Sequence, residues 1–521
     1  MENLKKLYIL IFFALFLVGK SNAQTWEVYN SEMSLVSRLM YNEILVLGEA
    51  VRIAETDEGL FLLSNDYQPA VQIEGQEVYQ YLSPWILVKG ESGLGAYHEY
   101  GQKVLDLKYD QIEVFFNLLL AKKGQEYFVY ERGKGTTRSL GVLDHAWISS
   151  RGQVIAEDKG KYYLPLSINP TKDYELLEDN DSDYLLIKDE EGYGLLNMEG
   201  RVVLDAVLDS LEHTRGNFYF GFNENQYLLV EGDPIQANVR YNSFHRISFE
   251  NDLMLEYIHG KLRRVMKEDG ILLDAVGMTE VNRIGPDLYN VKFRDNKLGL
   301  LGRDGWLVGP SDSLYIIRGS DEKLFPASNE LGKWGAVDSN GQWIISPSLD
   351  EMGSFKNGIA AFRKGVFWGI IDRSGKILSD ANWDRVSIQP NGRAIGENSS
   401  GKFILSAENE YKGVDSFENI IPLDKGEFIA IRDGKAGFYS SNQDPKLENL
   451  FDSILVQDGR WLTAESDGKI GLFDRTGKNV LPVDYENIIF DQFKNTILVK
   501  CTYKPIIVVE PEDSKKRKKG R

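Results

Sequence analysis

The stretch KWGAVDSNGQWIISPSLDEM occupies residues 333–352, and 34 residues later, at 367–386, the chain reads FWGIIDRSGKILSDANWDRV. With Gly335 and Gly369 as anchors, matching residue types recur at fixed offsets. A second glycine follows each anchor (Gly341, Gly375), then a bulky apolar residue (Leu349, Trp383), an aspartate (Asp350, Asp384) and a further apolar residue (Met352, Val386). Self-similarity at a fixed period of this size marks an array of supersecondary units, each burying its apolar face against the next.

The same rule extends in both directions. Gly471 is followed by Gly477, Tyr485, Glu486 and Ile488, Gly194 by Gly200, Leu208, Asp209 and Leu211, and Gly95 by Gly101, Tyr109, Asp110 and Ile112. Gly299 keeps Gly305 but reaches Asp312 and Leu314 early. Weaker copies start at Phe403, Gly437, Arg264 and Tyr227, and looser matches near Glu27, Leu60, Tyr127 and Tyr162 continue the ladder upstream. The array therefore has about fourteen units.

Each unit reads as strands. AVDSNGQWII, IIDRSGKIL and LFDRTGKNVL are β-prone runs joined by Asp-x-x-Gly, with Asp338, Asp372 and Asp474 opening the turn and Gly341, Gly375 and Gly477 closing it. Aspartate caps such a turn with its own side chain, and glycine supplies the positive φ. A third run follows at LDEM, WDRV and YENI, and a fourth at GIAAFRKG and FIAIRDGK, so each period holds four short antiparallel strands. The expected fold is all-β: tandem antiparallel hairpin repeats of about 34 residues, packed either propeller-like, in one or two rings, or as an open β-solenoid.

Trp334-Gly335 and Trp368-Gly369, with the Asp-x-x-Gly turn and the Asp-x-apolar element after them, resemble the WG (KWG) repeat-containing bacterial protein family. Elsewhere the tryptophan is replaced, as in Leu298-Gly299, Ala436-Gly437, Ile470-Gly471 and Tyr193-Gly194. The resemblance implies a β-repeat protein of the exported or envelope class and brings no catalytic residue with it. The expected organisation is a signal peptide at 1–23, divergent WG-like repeats at 24–190, regular repeats at 191–509 and a basic disordered tail at 510–521. The structural anchors are Trp334, Gly335, Asp338, Gly341, Asp350, Trp368, Gly369, Asp372, Gly375, Asp384, Gly471, Asp474 and Gly477.

Composition sets the outer limits. The chain has 521 residues and a formal net charge of −18. Removing 1–23, where Lys5, Lys6 and Lys20 oppose Glu2, takes away +2 and leaves −20. Phosphate recognition needs a basic face, so nucleic acid is not an expected partner. Lys5 and Lys6, the apolar run from Leu7 to Val18 and the small-residue exit Ser21-Asn22-Ala23 form the three-part pattern of an export signal cleaved before Gln24. That run is shorter than the roughly 20 residues that span a bilayer, so no stable membrane insertion is expected after cleavage. Cys501 is the only cysteine, which leaves packing rather than disulfides to hold the fold.

Residues that could do chemistry are few. The aspartates of the turns and of the Asp-x-apolar element recur in unit after unit, which points to one local structural task repeated. His98, His145, His213, His245 and His259 are scattered without ligand spacing. LEDNDSDYLLIKDEE places Asp179, Asp181 and Asp183 at alternating positions with Glu190 beyond them, the carboxylate spacing of a calcium loop, but Tyr184 stands where that loop needs glycine. No cofactor is expected. The expected function is a non-catalytic exported protein, periplasmic, outer-surface or secreted, acting as a binding or scaffold surface for protein or glycan. The alternative is a propeller-type hydrolase, glycosidase-like, working through paired carboxylates. N-terminal sequencing of the protein from an envelope fraction is expected to begin at Gln24; intact Met1 recovered from the cytoplasm contradicts the export reading.

Overall fold

The computed structural model describes residues 25–501 apart from short segments at 168–172, 181, 224–225, 232–235, 242–244, 251–252, 268–269, 275–276, 286–287, 303–304 and 321. The leader, the basic tail and Asp181 lie outside the described residues. No helix among these residues is long and apolar enough to cross a membrane.

The described residues form fourteen small antiparallel sheets, and the only helical elements are two single 3-10 turns. Twelve of the sheets have four strands and two have three. In nearly every sheet consecutive strands pair in simple sequence order, the meander from which propeller-like arrays are built. First strands begin at Glu43, Glu77, Gln111 and His145, and again at Glu351, Arg385, Asn419, Ser453 and Asn487, 34 residues apart in both runs. The upstream part is thus as regular in period as the downstream part, although its side chains match the repeat poorly. In the three-stranded sheets of 145–163 and 385–405 the fourth strand shrinks to isolated bridges, Tyr162 to Tyr174 and Lys402 to Phe417.

Burial follows strand position. Second strands such as Ile359–Lys364 and Trp461–Ser466 are buried at four successive residues, because neighbouring sheets cover both faces. Fourth strands such as Ile377–Trp383 alternate between buried and exposed, with one face in water. They also carry Pro69, Pro310, Pro347, Pro445 and Pro482, which cannot donate to a further strand and so discourage edge-to-edge pairing. The apolar cores lie between consecutive sheets. Leu298, Leu300 and Val308 of one sheet pack with Leu314, Ile317, Phe325, Ala327 and Val337 of the next. Trp334 and Ile345 pack with Met352, Ala360 and Phe362 in the same way. Complete burial of each large aliphatic side chain is worth about 1.5–3 kcal/mol.

The chain divides into two compact units. One comprises Met1–Asp110, Leu455–Asp474 and Lys478–Arg521, and the other Gln111–Ile454 and Arg475–Gly477. The first holds four of the sheets and the second ten.

One sheet of the first unit is built from both ends of the described chain. Its order is Leu35–Met40, Thr25–Asn30, Thr496–Lys500, Asn487–Asp491. The central strands pair Trp26 with Lys500 and Val28 with Leu498. Read from Asn487, this is the ordinary four-strand meander with the chain cut between its second and third strands.

A buried ion pair fixes this junction. Arg52 is 1% exposed and Asp491 fully buried. Arg52 grips the carboxylate at both oxygens, through Nε to Oδ2 and through Nη2 to Oδ1 at 2.8 Å, while its Nη1 donates to Glu49 O at 2.9 Å. Tyr67 Oη donates to Asp491 Oδ2 at 2.7 Å and lies 2.6 Å from Thr496 Oγ1. Burial pushes the Asp491 carboxyl up, but the hydrogen bonds from Arg52 and Tyr67 outweigh it and hold the group below the usual carboxylate value. Burial is also the main reason the Tyr67 phenol is pushed up to about 12.

Arg52→Leu is expected to lower stability in urea unfolding by about 3–5 kcal/mol, because it strands a buried carboxylate, and replacing Asp491 by Leu as well should recover most of the loss. A depressed carboxyl contributes stability above its unfolded pKa of roughly 4, and the contribution disappears as pH falls through the lower folded value. Acid unfolding of the parent should therefore steepen only below about pH 4, and the doubly substituted protein should lack that limb.

Candidate binding surface

The repeat aspartates fall into two structural sets. In the first, Asp338 Oδ1 accepts the backbone N–H groups of Asn340 and Gln342, both at 2.9 Å, and Gly341 N donates to Asp338 O at 3.0 Å. Asp372 Oδ1 accepts from Ser374 N and Lys376 N at 2.9 and 3.0 Å, and Asp474 Oδ1 accepts from Lys478 N at 3.0 Å. Burial opposes ionisation of Asp372, but the bonds from Ser374 and Lys376 win and its carboxyl is held low. Each aspartate closes the turn between the third and fourth strands of its sheet. Gly341 stands at φ +77° and Gly375 at +88°, where a side chain would strain the turn. Gly477 holds the same place in the 453–485 sheet.

The second set, just before the first strand of a sheet, faces the hairpin between the second and third strands or a lysine of the sheet before. Asp350 accepts from Gly365 N at 2.6 Å and from Lys333 Nζ at 2.5 Å, and the bonds from Lys333 and Gly365 lower its carboxyl. Asp144 accepts from Lys159 N at 2.7 Å, Glu418 from Gly434 N at 3.2 Å and Asp452 from Lys435 Nζ at 2.6 Å. Asp384 stands at the corresponding position, its own N–H donating to Glu397 O at 2.9 Å.

The anchor glycines answer to a different constraint. Each lies in a third strand opposite a break in ladder register. A Cβ on Gly335 would come 2.1 Å from Ile345 O, one on Gly369 2.5 Å from Ser379 O, and one on Gly471 2.7 Å from Val483 Cγ2. Close backbone approach at a bulge leaves room only for glycine. The adjoining tryptophans pack inward. Trp334 is nearly buried beneath the Arg318 guanidinium, 4.3 Å from its ring centroid. Trp368 is partly buried and paired in register with Trp383.

The remaining sequence candidates are also engaged. Asp179 accepts from Ser150 N at 2.5 Å, and Asp183 pairs with Arg151 at 3.0 Å and accepts from Asn217 Nδ2 at 2.9 Å. Both carboxylates thus hold neighbouring loops, and the strand Tyr184–Lys188 begins directly after them. No group of three or more potential ligands able to hold a metal occurs among the described residues. His98 is buried, and His213 Nε2 lies 2.9 Å from Gly216 O. Cys501 is buried, and burial pushes its thiol up to about 11, which suppresses the reactive thiolate.

A feature not foreseen in the sequence is a cleft of 720 Å³ in the second unit. Its walls come from the 278–311 and 316–349 sheets and from residues 354–356. Ile317 and Phe355 are fully buried, and Ile284, Leu307 and Ile316 are exposed at 41%, 37% and 40%. The available signal was faint: three aliphatic residues at strand positions facing water.

The model for the WG containing repeat matches residues 334–365 and 368–395. These two segments are WG repeats. A WG repeat begins in the third strand of one sheet and ends in the second strand of the next, so each one ties two sheets together. No curated protein matches the chain in sequence. Among solved structures, the extracellular domain of the one component system BT4673 from B. thetaiotaomicron shares 11% identity over 93% of this chain and 83% of its own, at a TM-score of 0.20. PorZ, a surface component of the type-IX secretion system of Porphyromonas gingivalis, shares 10% over 88% and 85%, at 0.22. The extracellular domain of the hybrid two component system BT3049 from B. thetaiotaomicron shares 12% over 88% and 81%, at 0.22. Overlaps this small transfer neither mechanism nor partner to this chain.

Gly335→Ala is expected to destabilise the protein by about 1–3 kcal/mol, since the strand must shift to admit the methyl group. Chemical unfolding of this variant beside Gly309→Ala, where the added Cβ meets nothing within 4 Å, measures the difference.

Proposed function

We propose that the chain is a non-catalytic exported protein of the cell envelope whose repeat array presents a binding or scaffold surface to a protein or glycan partner. The observation that carries this reading is the use of the recurring carboxylates. Asp338, Asp372 and Asp474 satisfy backbone amides of their own turns, and Asp350, Asp144 and Glu418 do so for the next hairpin. A hydrolase needs one carboxyl kept protonated and another poised as base or nucleophile, whereas the shifts at Asp350 and Asp372 are both downward, toward permanent ionisation. Arrays of this type offer extended surfaces on which partner contact is spread over several units. Export is supported by the three-part pattern of residues 1–23.

Purified protein beginning at Gln24 is expected to co-sediment with envelope fragments from its source cells and to release no reducing sugar from chitin, β-glucan or peptidoglycan. Sugar release abolished by a single carboxylate substitution, or failure to sediment, overturns this reading.

A further inference from the structure

The 720 Å³ cleft lies at one of the places where the spacing of the repeat departs from 34 residues. Gly335 follows Gly299 by 36 residues, against 34 between Gly335 and Gly369, and the turn after Gly305 reaches its aspartate early. The volume of the cleft falls within the roughly 300–1,000 Å³ of small-molecule sites, which combine apolar walls with a few polar groups.

The lining has two chemical ends. Ile284, Leu288, Leu307, Ile316, Ile317 and Phe355 form an aliphatic body. Three of these leave more than a third of their surface in water, an arrangement that favours an apolar occupant by about 25 cal/mol for each Å² it covers. Gly319 is part of the design. A Cβ there would come 2.4 Å from Leu288 Cδ1 and push that side chain from its place in the wall.

The polar end is cationic. The charged residues of the lining are Arg318 and Lys356, and no carboxylate is among its described members, in a chain with 78 acidic residues against 60 basic ones. Arg318 is committed, donating to Met352 O at 2.9 Å and to Glu351 Oε1 at 3.2 Å. Lys356 is exposed at the rim and pairs with no carboxylate among the described residues. Ser354 Oγ donates to Gly319 O at 2.6 Å and keeps its acceptor capacity, and the buried Ser320 Oγ has no hydrogen-bond partner among the described residues.

We propose that this cleft binds an amphipathic aliphatic carboxylate, its chain against Ile284, Leu307 and Ile316 and its carboxylate at Lys356. The proposal rests on the reading of the protein as a non-catalytic binder and names one ligand class for it.

The test is calorimetric titration of the protein beginning at Gln24 with sodium dodecanoate below its micelle concentration. Saturable one-to-one binding is expected. Ile316→Asp should weaken it by at least about tenfold while the protein stays folded at the titration temperature, because that residue already has 40% of its surface in water. Leu331→Asp, at an exposed leucine outside the cleft, should leave binding unchanged. Lys356→Glu should weaken dodecanoate and make dodecylammonium the tighter ligand. Absence of saturation, many weak sites, equal affinity of the parent for dodecylammonium, or indifference to Ile316→Asp overturns the assignment. Loss of dodecanoate binding with envelope sedimentation intact removes the cleft assignment alone, and the reverse result removes the envelope reading alone.

Discussion

The bidentate contact between Arg52 and Asp491 joins residues 439 positions apart at the place where the two chain ends become one sheet. Taking both charges out of water costs several kcal/mol for each ion, and the attraction between them returns that cost only when the geometry is good and the remaining polar atoms are satisfied. Here they are: Glu49 O takes the third guanidinium contact, and Tyr67 donates to the carboxylate. The gain lies in selection more than in net energy. A strand slip by one residue would turn Trp26 and Val28 away from their core and leave Arg52 and Asp491 buried without each other. Trp26, fully buried beside Leu498, supplies the apolar counterpart of the same choice.

That junction also explains why the sequence period and the sheets are out of phase. A WG repeat contributes the third and fourth strands of one sheet and the first and second of the next, so no sheet belongs to a single repeat. At the chain ends the halves left over, Asn487–Lys500 and Thr25–Met40, complete each other. The repeats at 334–365 and 368–395 are thereby tied to their neighbours by backbone hydrogen bonds as well as by the apolar cores between sheets.

The recurring acids of the repeat are satisfied locally, within their own turns and hairpins. Carboxylates that accept two backbone N–H groups are held ionised and oriented, and their task ends with the turn. The cleft bordered by Ile316 and Phe355 draws its walls from two consecutive sheets and from residues 354–356.

Most of the frame was legible in the sequence because its causes are local. An Asp-x-x-Gly turn is decided within four residues, as Asp338 and Gly341 show, and alternation along Ile377–Trp383 is decided by one wet and one dry face. The count of about fourteen units followed from periodicity alone. The upstream units looked divergent because the pattern of glycine and tryptophan had drifted while the spacing of backbone turns had not, as Glu43, Glu77, Gln111 and His145 reveal. Other features could not be read from neighbours in the chain. The pairing of Thr25–Asn30 with Thr496–Lys500, the partnership of Arg52 with Asp491 and the meeting of Ile284, Ile316 and Lys356 at one cleft all join residues distant in sequence. Turns and strand faces are set by short-range sterics and hydrogen bonding, so the sequence by itself determined them. Which ends meet, which charges are buried together and where a cavity remains depend on packing between whole sheets, and only the tertiary structure decided those.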